Sequence, residues 1–154
     1  MGTRSTYRVI EEWKDDTTGK ITQNKLVLMY AQYDGYPTGH PMDTAKWLAS
    51  GKVVNGLRMD EKGLTFNGAG CLAAQLVAKF KDGAGGIYLQ RANKNSGEEY
   101  RYKVIGDFET KEITIEVFEV GYMNTKGDYV NKTKKIFSGS PKQLQEKVAE
   151  VVES

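Results

Sequence analysis

The order of strand-like and helix-like segments most constrains the fold, because the two types do not alternate along the chain. Residues 7–13 alternate in polarity as a strand does, and a second strand-like segment runs from Lys25 to Tyr33. Two helical segments follow, at 42–50 and about 70–81, and a last helix starts at Ser140. This order predicts an α+β fold with a mostly antiparallel sheet, two central helices and one C-terminal helix.

The segment between the second and the last helix is predicted to be β. The expected strands are 87–91, 99–105, 112–120, 129–131 and 135–137. The first two flank the turn-forming residues 94–97, so we expect them to pair as a hairpin that places Arg91 and Arg101 on neighbouring strands. The last helix begins with an N-cap Ser140, a proline and the capping-box residue Gln143.

The chain has 154 residues, which predicts a single domain over 1–154. It contains one cysteine, Cys71, and one histidine, His40. These counts exclude an internal disulfide, a four-ligand zinc site and paired-histidine hydrolases. A Cys71–His40 nucleophile pair is arithmetically possible, against burial of Cys71 and a capping or surface role for His40. We expect no metal, cofactor or catalytic residue.

Charge and hydropathy narrow the partners. The 22 basic and 20 acidic residues leave a net charge of +2, which does not favour a nucleic-acid polymer. No run of apolar residues is long enough to span a membrane, and the first residues lack the apolar core of a signal peptide. We therefore expect a cytoplasmic protein.

A glycine-rich turn directly precedes the second helix. Asn67, Gly68 and Gly70 would let backbone N–H groups approach an anion at the helix N-terminus. The turn matches neither a P-loop nor a dinucleotide fingerprint. The alternative is a tight turn whose glycines permit close packing.

The loop at 33–41 places two aromatic residues around an acid. Tyr36 could stack on a base, and Asp34 could accept a hydrogen bond from a ribose or base. The alternative is an Asp-Gly turn whose rings pack on the core.

Arginine and aromatic residues cluster in the expected hairpin. Arg91, Arg101, Tyr88 and Asn93 are the ingredients of a nucleotide pocket. Alternatively, the two arginines face solvent and pair with Glu98, Glu99 or Glu109.

The helix at 70–81 is apolar on nearly all sides and rich in small residues. Such a helix lies deep in the core or is shared with another subunit. We therefore expect a homo-oligomer that assembles through this helix.

Four strings together resemble small proteins encoded by phages and prophages. They are Tyr33-Asp-Gly-Tyr-Pro-Thr-Gly-His40, Val54-Asn-Gly56, Phe66-Asn-Gly-Ala-Gly-Cys-Leu-Ala-Ala-Gln-Leu76 and Gly86-Ile-Tyr-Leu89. The resemblance spans residues 7–104 and is most specific from Phe66 to Leu76. Among characterised groups, the chain is most similar to the first Thoeris anti-defence family.

The resemblance implies a function and a kind of site. Proteins of that family are sponges that hold cyclic ADP-ribose-type immune signals intact, and some also take up cyclic oligonucleotide signals of CBASS immunity. They are small α+β oligomers with ligand sites between chains. An arginine pair, an aromatic residue and an asparagine surround the ligand, and the candidates in this chain are Arg58, Arg91, Arg101, Tyr88 and Asn93.

The expected function is therefore sequestration of a cyclic nucleotide-derived signal in an infected bacterial cell. Arg58, Arg91 and Arg101 would neutralise phosphates, while aromatic and polar residues of the loop and strand would contact bases and ribose. Two other classes stay open, a small phosphodiesterase or nucleotide hydrolase that uses carboxylates and Mg²⁺, and a phage inhibitor that binds a host protein.

Overall fold

The computed structural model describes residues 3–58, 60–92, 94, 96–107 and 110–153. Within these residues the chain forms eight strands and three helices. The strands are β1 (Ser5–Lys14), β2 (Ile21–Ala31), β3 (Lys52–Val54), β4 (Thr65–Asn67), β5 (Ile87–Gln90), β6 (Tyr100–Asp107), β7 (Ile113–Met123) and β8 (Tyr129–Gly139). The helices are α1 (His40–Ala49), α2 (Gly68–Phe80) and α3 (Pro141–Glu153).

Six strands form one sheet in the order β5-β2-β1-β6-β7-β8, and β3 and β4 form a small parallel pair. Within the large sheet, β1 and β6 run parallel, whereas every other neighbouring pair is antiparallel. The predicted α+β class with a mostly antiparallel sheet is confirmed.

The three helices cover one face of this sheet. Their apolar side chains share a core with alternate strand residues such as Tyr7, Met29, Tyr102 and Val117, all of which are buried. Because successive strand residues point to opposite faces, Arg8 projects from the other face, together with its neighbours in register. We call this the open face, although Lys94 and residues 96–99 cross part of it between β5 and β6.

The expected hairpin between 87–91 and 99–105 is wrong. Strands β5 and β6 do not pair, because β2 and β1 lie between them. The long N-terminal hairpin occupies the middle of the sheet, and its two outer edges are completed separately, by β5 beside β2 and by β6 beside β1. Arg91 and Arg101 are therefore not on neighbouring strands.

The two short edge strands predicted at 129–131 and 135–137 are one continuous strand, β8. Its middle is a polar run, Asn131–Lys135, which argued against a strand in the sequence. Pairing with β7 extends from Tyr129 to Gly139 and carries two register irregularities that accommodate this run. Cross-strand pairing here overrides weak local β propensity.

Other element boundaries differ by a few residues. Strand β2 begins at Ile21 instead of Lys25, α1 at His40 instead of Met42, and α2 at Gly68 instead of Gly70. The capping box of α3 is confirmed, since the Gln143 N–H donates to the Ser140 hydroxyl at 3.1 Å and the Ser140 N–H donates to Gln143 Oε1 at 2.8 Å. Among the described residues, no helix is long and apolar enough to cross a membrane.

Candidate functional site on the open face of the sheet

A pair of arginines meets on the open face. Arg8 lies on β1 and Arg101 begins the third turn of the pleat on its parallel neighbour, β6, and both contact Glu98. Arg8 Nη2 lies 3.5 Å from Glu98 Oε2, and Arg101 Nη2 lies 3.0 Å from Glu98 Oε1. The Glu98 side chain is fully buried, while 10% of the Arg8 side chain and 22% of the Arg101 side chain are exposed.

This cluster carries more positive than negative charge. Two guanidinium groups share one carboxylate, and burial followed by the charge of Arg101 lowers the pKa of Arg8. The Nε–H of Arg101 is buried and has no hydrogen-bond partner among the described residues. A buried donor without a partner costs about 1–3 kcal/mol. The arrangement therefore suits an anion that would supply both the missing charge and the missing acceptor.

More cations lie beside the cluster, around an aromatic ring. Phe118 is directly opposite Arg101 in the sheet. The Lys103 amine lies 5.0 Å from the centre of the Phe118 ring, and the Lys135 amine lies 5.7 Å from it. Lys135 also pairs with Glu116 at 2.7 Å. Together, Arg8, Arg101, Lys103, Phe118 and Lys135 form what we call the basic face.

The pKa of the Lys103 amine reports the potential of the basic face. It is lowered by burial first, and then by the positive charges of Arg101, Lys25 and Arg8, while Glu116 opposes the shift. Cations that raise the energy of a neighbouring ammonium also attract an incoming anion. The ring among them offers a surface on which a nucleobase could stack.

The residue between the arginines is held by its backbone. The Tyr129 hydroxyl donates to the Glu98 carbonyl at 2.7 Å, and the Val120 N–H donates to the Glu99 carbonyl at 2.8 Å. Tyr129 reaches Glu98 across Gly121, where an added Cβ would lie 2.6 Å from the tyrosine ring. The cluster is therefore positioned by the β7–β8 pair as well as by β1 and β6.

The structure places Tyr88 and Arg91 on the same side of the sheet but away from the arginine pair. Tyr88 faces Tyr30 across β5 and β2, with ring centres 6.4 Å apart. Three strand spacings, roughly 14 Å, separate β5 from β6. Arg91 is exposed after the end of β5. Asn93, which the resemblance implies as a ligand contact, lies outside the described residues.

Asn67, Gly68, Gly70 and Arg58 lie at the opposite end of the sheet. The Asn67 side chain accepts the Gly56 N–H at 2.8 Å, so it holds a turn. Gly68 has a φ of +80°, and nothing lies near the Cα of Gly70. The helix start packs against Gly106, which is five residues, roughly 17 Å, along β6 from Arg101. Arg58 is exposed in the loop before β4.

Asp34 and Tyr36 lie in a loop that is tightly tied to the sheet. The Tyr102 hydroxyl donates to the Gly35 carbonyl at 2.6 Å, and the Gly35 N–H donates to the Thr3 carbonyl at 3.0 Å. Asp34 has a φ of +57°, and its side chain lies 3.5 Å from the Tyr36 hydroxyl. Tyr36 is 41% exposed and lines a groove of about 810 Å³, separate from the basic face.

Of the ten residues selected from the sequence, Arg101 alone belongs to the basic face. The analysis of the sequence passed over Arg8, Glu98, Lys103, Phe118 and Lys135. Polarity alternation does put Arg8 on the face opposite Tyr7, which was an available signal. Its meeting with Glu98 depends on pairing between residues 90 positions apart, which no local pattern encodes.

His40 is part of the interior framework of the fold. Its Nδ1 accepts a hydrogen bond from the buried Tyr7 hydroxyl at 2.7 Å, and its ring packs on the edge of Phe80 at 4.6 Å. Burial lowers the pKa of His40, and the charges of Asp43 and Asp34 oppose this shift. The Cys71 thiol instead contacts Gln75 on its own helix, so no described contact joins Cys71 to His40.

We expect stability to fall as pH decreases below 6.5, because unfolded His40 binds a proton there and folded His40 resists it. One proton limits the slope to about 1.4 kcal/mol per pH unit. Urea unfolding between pH 7 and 5.5 measures this loss. The variant His40→Asn keeps an acceptor for Tyr7 but does not titrate, and its slope should be flatter. Equal slopes in the two proteins would contradict the assignment.

Within the described ranges, no group of three or more His, Cys, Asp or Glu side chains is arranged to hold a metal ion. No family model, curated protein or solved structure matched this chain.

Proposed function

We propose that the protein sequesters a small cyclic nucleotide-derived signal, of the cyclic ADP-ribose type, without chemically changing it. The observation that carries the proposal is the buried Arg8–Glu98–Arg101 cluster, with its surplus charge and its unpartnered Arg101 Nε–H. An arginine pair is also what the resemblance to the Thoeris anti-defence family implies. The structure-derived pair is Arg8 with Arg101, whereas the sequence suggested Arg58, Arg91 and Arg101.

In this proposal the ligand phosphates lie against Arg101 and Lys103, since a guanidinium presents a rigid fork of donors that matches phosphate oxygens. A base of the ligand stacks on Phe118, whose ring already has lysine amines on its surface. Glu98 holds the two guanidinium groups in place. Guanidinium groups stay protonated at any cellular pH and do not act as bases, which suits retention of the ligand better than its cleavage.

The decisive experiment separates sequestration from hydrolysis. Purified protein is mixed with a cyclic ADP-ribose isomer, the unbound fraction is assayed, and the complex is then denatured by heat. We expect depletion of the unbound ligand followed by recovery of intact ligand. Recovery of a cleaved product would identify a nucleotide hydrolase, and absence of depletion would eliminate the proposal.

Ligand binding should also stabilise the fold. A ligand that binds the folded state alone raises the unfolding free energy by about 2.7 kcal/mol at a concentration of 100 times Kd. A thermal-shift series across cyclic nucleotides would therefore rank the candidate ligands. If a host protein raises the melting temperature and no nucleotide does, the alternative of a protein-binding inhibitor gains support.

We further propose that copies of the chain associate through α2, in the cytoplasm of an infected bacterial cell. One side of α2 packs on the core through Leu72 and Leu76. The opposite side exposes three small residues at helical spacing, Gly70, Ala74 and Ala78. Small residues allow close approach of a second helix.

The variant Ala74→Arg is expected to shift the protein to monomers in analytical ultracentrifugation, because a long charged side chain would block close approach of α2. Lys79→Arg, which preserves an exposed charge on the same helix, serves as the matched control and should leave the mass unchanged. A wild-type protein that sediments as a monomer would show that α2 does not mediate self-association.

A further inference from the structure

Two cavities on the helix side of the sheet meet at a common wall. One is the groove of about 810 Å³ beside Tyr36, and the other is a smaller cavity of about 360 Å³ between α3, β8 and residues 37–38. Tyr100 and Glu119 line both cavities and are directly opposite each other on β6 and β7. Their strand positions put them on the face opposite Arg101 and Phe118, so this wall is separate from the basic face.

The smaller cavity is lined mainly by carbon atoms. Its walls are formed by the apolar side chains Pro37, Val117, Ile136, Phe137, Leu144 and Val148. Burying apolar surface against such walls contributes about 25 cal/mol per Å². An aliphatic or aromatic group of modest size is therefore the chemistry that this cavity accepts.

The wall between the cavities presents a carboxylate. Glu119 is exposed, and no ion pair within 4.0 Å joins it to a cation among the described residues, although Lys134 lies directly across from it on β8. The charge of Glu119, after burial, is the second cause that raises the pKa of Tyr100, which places the carboxylate close to that phenol. A carboxylate beside a tyrosine ring is a favourable environment for an ammonium group.

Positive side chains stand away from this junction. Lys132 and Lys134 line the outer groove but not the smaller cavity, and the exposed Lys147 lines the smaller cavity at α3. The groove wall also contains Glu99, a second carboxylate without a described ion pair. The junction at Glu119 therefore selects for positive charge, and the cavity behind it selects for an apolar body.

We propose that this junction binds a small organic amine, with its apolar body in the cavity between α3 and β8 and its ammonium group on Glu119 beside Tyr100. The site is independent of the basic face and of the function proposed for it. Its ligand class is cationic, whereas the basic face takes an anion.

Three probes with the same six-carbon body test the proposal, namely hexylamine, hexanol and hexanoate. Binding is followed by chemical-shift changes in protein NMR spectra. We expect hexylamine to bind with a Kd on the order of 1 mM, given the few atoms that it contributes. Hexanol should bind about threefold to tenfold more weakly, and hexanoate more weakly still. Equal binding of hexanoate and hexylamine, or no binding by any probe, would overturn the proposal.

Substitution locates the charge that is responsible. Glu119→Gln should remove the preference for hexylamine over hexanol and leave the binding of hexanol unchanged. The exposed position of Glu119 means that the variant should fold normally. Asp16→Asn removes one negative charge in the exposed β1–β2 turn and is the matched control, so the preference should persist in it. A preference that survives Glu119→Gln would show that the carboxylate is not the recognition element.

Discussion

Replacing Glu98 by glutamine is expected to lower the free energy of unfolding by about 3 kcal/mol. The substitution preserves shape but removes the one carboxylate between two guanidinium groups, and the Glu98 side chain is fully buried. Two positive charges would then face each other away from water, with little solvent to screen them. Urea-induced unfolding of the two proteins at the same pH measures the difference.

A matched control comes from the neighbouring ion pair. Glu116→Gln removes the partner of Lys135, but 49% of the Lys135 side chain is exposed. Pairs with this exposure contribute at most about 1 kcal/mol. If Glu98→Gln costs no more than Glu116→Gln, the buried cluster does not have the electrostatic importance assigned to it.

Anions should distinguish the Glu98 variant further. With the carboxylate gone, the cluster has two uncompensated positive charges, so phosphate should stabilise Glu98→Gln more than wild type at equal ionic strength. This comparison separates anion binding from general salt screening, because chloride at the same ionic strength screens equally. An identical response of the two proteins to phosphate would argue that anions do not reach the cluster.

Arg101→Gln is expected to weaken binding of the cyclic ADP-ribose-type ligand about 100-fold, which corresponds to about 2.7 kcal/mol. Arg101 supplies the unpartnered Nε–H and half of the arginine pair, whereas Arg8 stays paired with Glu98 after the substitution. Arg101→Lys keeps the charge without the fork of donors and should recover only part of the affinity. Isothermal titration calorimetry gives the three affinities.

Arg58→Gln is the matched control for this loss. Arg58 is exposed and lies before β4, at the end of the sheet away from Arg101, so its removal should change affinity by less than about twofold. The opposite result, a large loss in Arg58→Gln and none in Arg101→Gln, would move the ligand site to the N-terminus of α2. That region holds Asn67, Gly68 and Gly70, the alternative anion site indicated by the sequence.

Much of the fold could be predicted because it depends on local pattern. Alternation along residues 7–13 correctly placed Tyr7 and Arg8 on opposite faces of a strand. Apolar residues on both faces of the second strand indicated a central position, and Leu28 and Met29 are indeed both fully buried. The hairpin proposed around residues 94–97 failed, because a turn-forming sequence does not reveal whether its flanking strands pair with each other or with strands elsewhere.

The candidate site was less predictable than the fold. Arg101 was selected for its residue type, and its actual partner Glu98 was among the acids considered for it. Arg8 was not selected, because nothing near it in the sequence marks it as different from a solvent-facing strand residue. Phe118 and the lysines around it come from three adjacent strands, so their proximity exists only when the sheet is assembled.

The sequence by itself determined the α+β class, the amphipathic strands, the capped start of α3 and the small residues of α2, because each follows from spacing along a single element. The tertiary structure alone decided that β1 lies parallel to β6, that Arg8 and Arg101 share Glu98, and that Glu119 stands between two cavities. The physical reason is that strand order and buried ion pairing arise from contacts between distant residues, selected by the packing of the whole sheet against its helices.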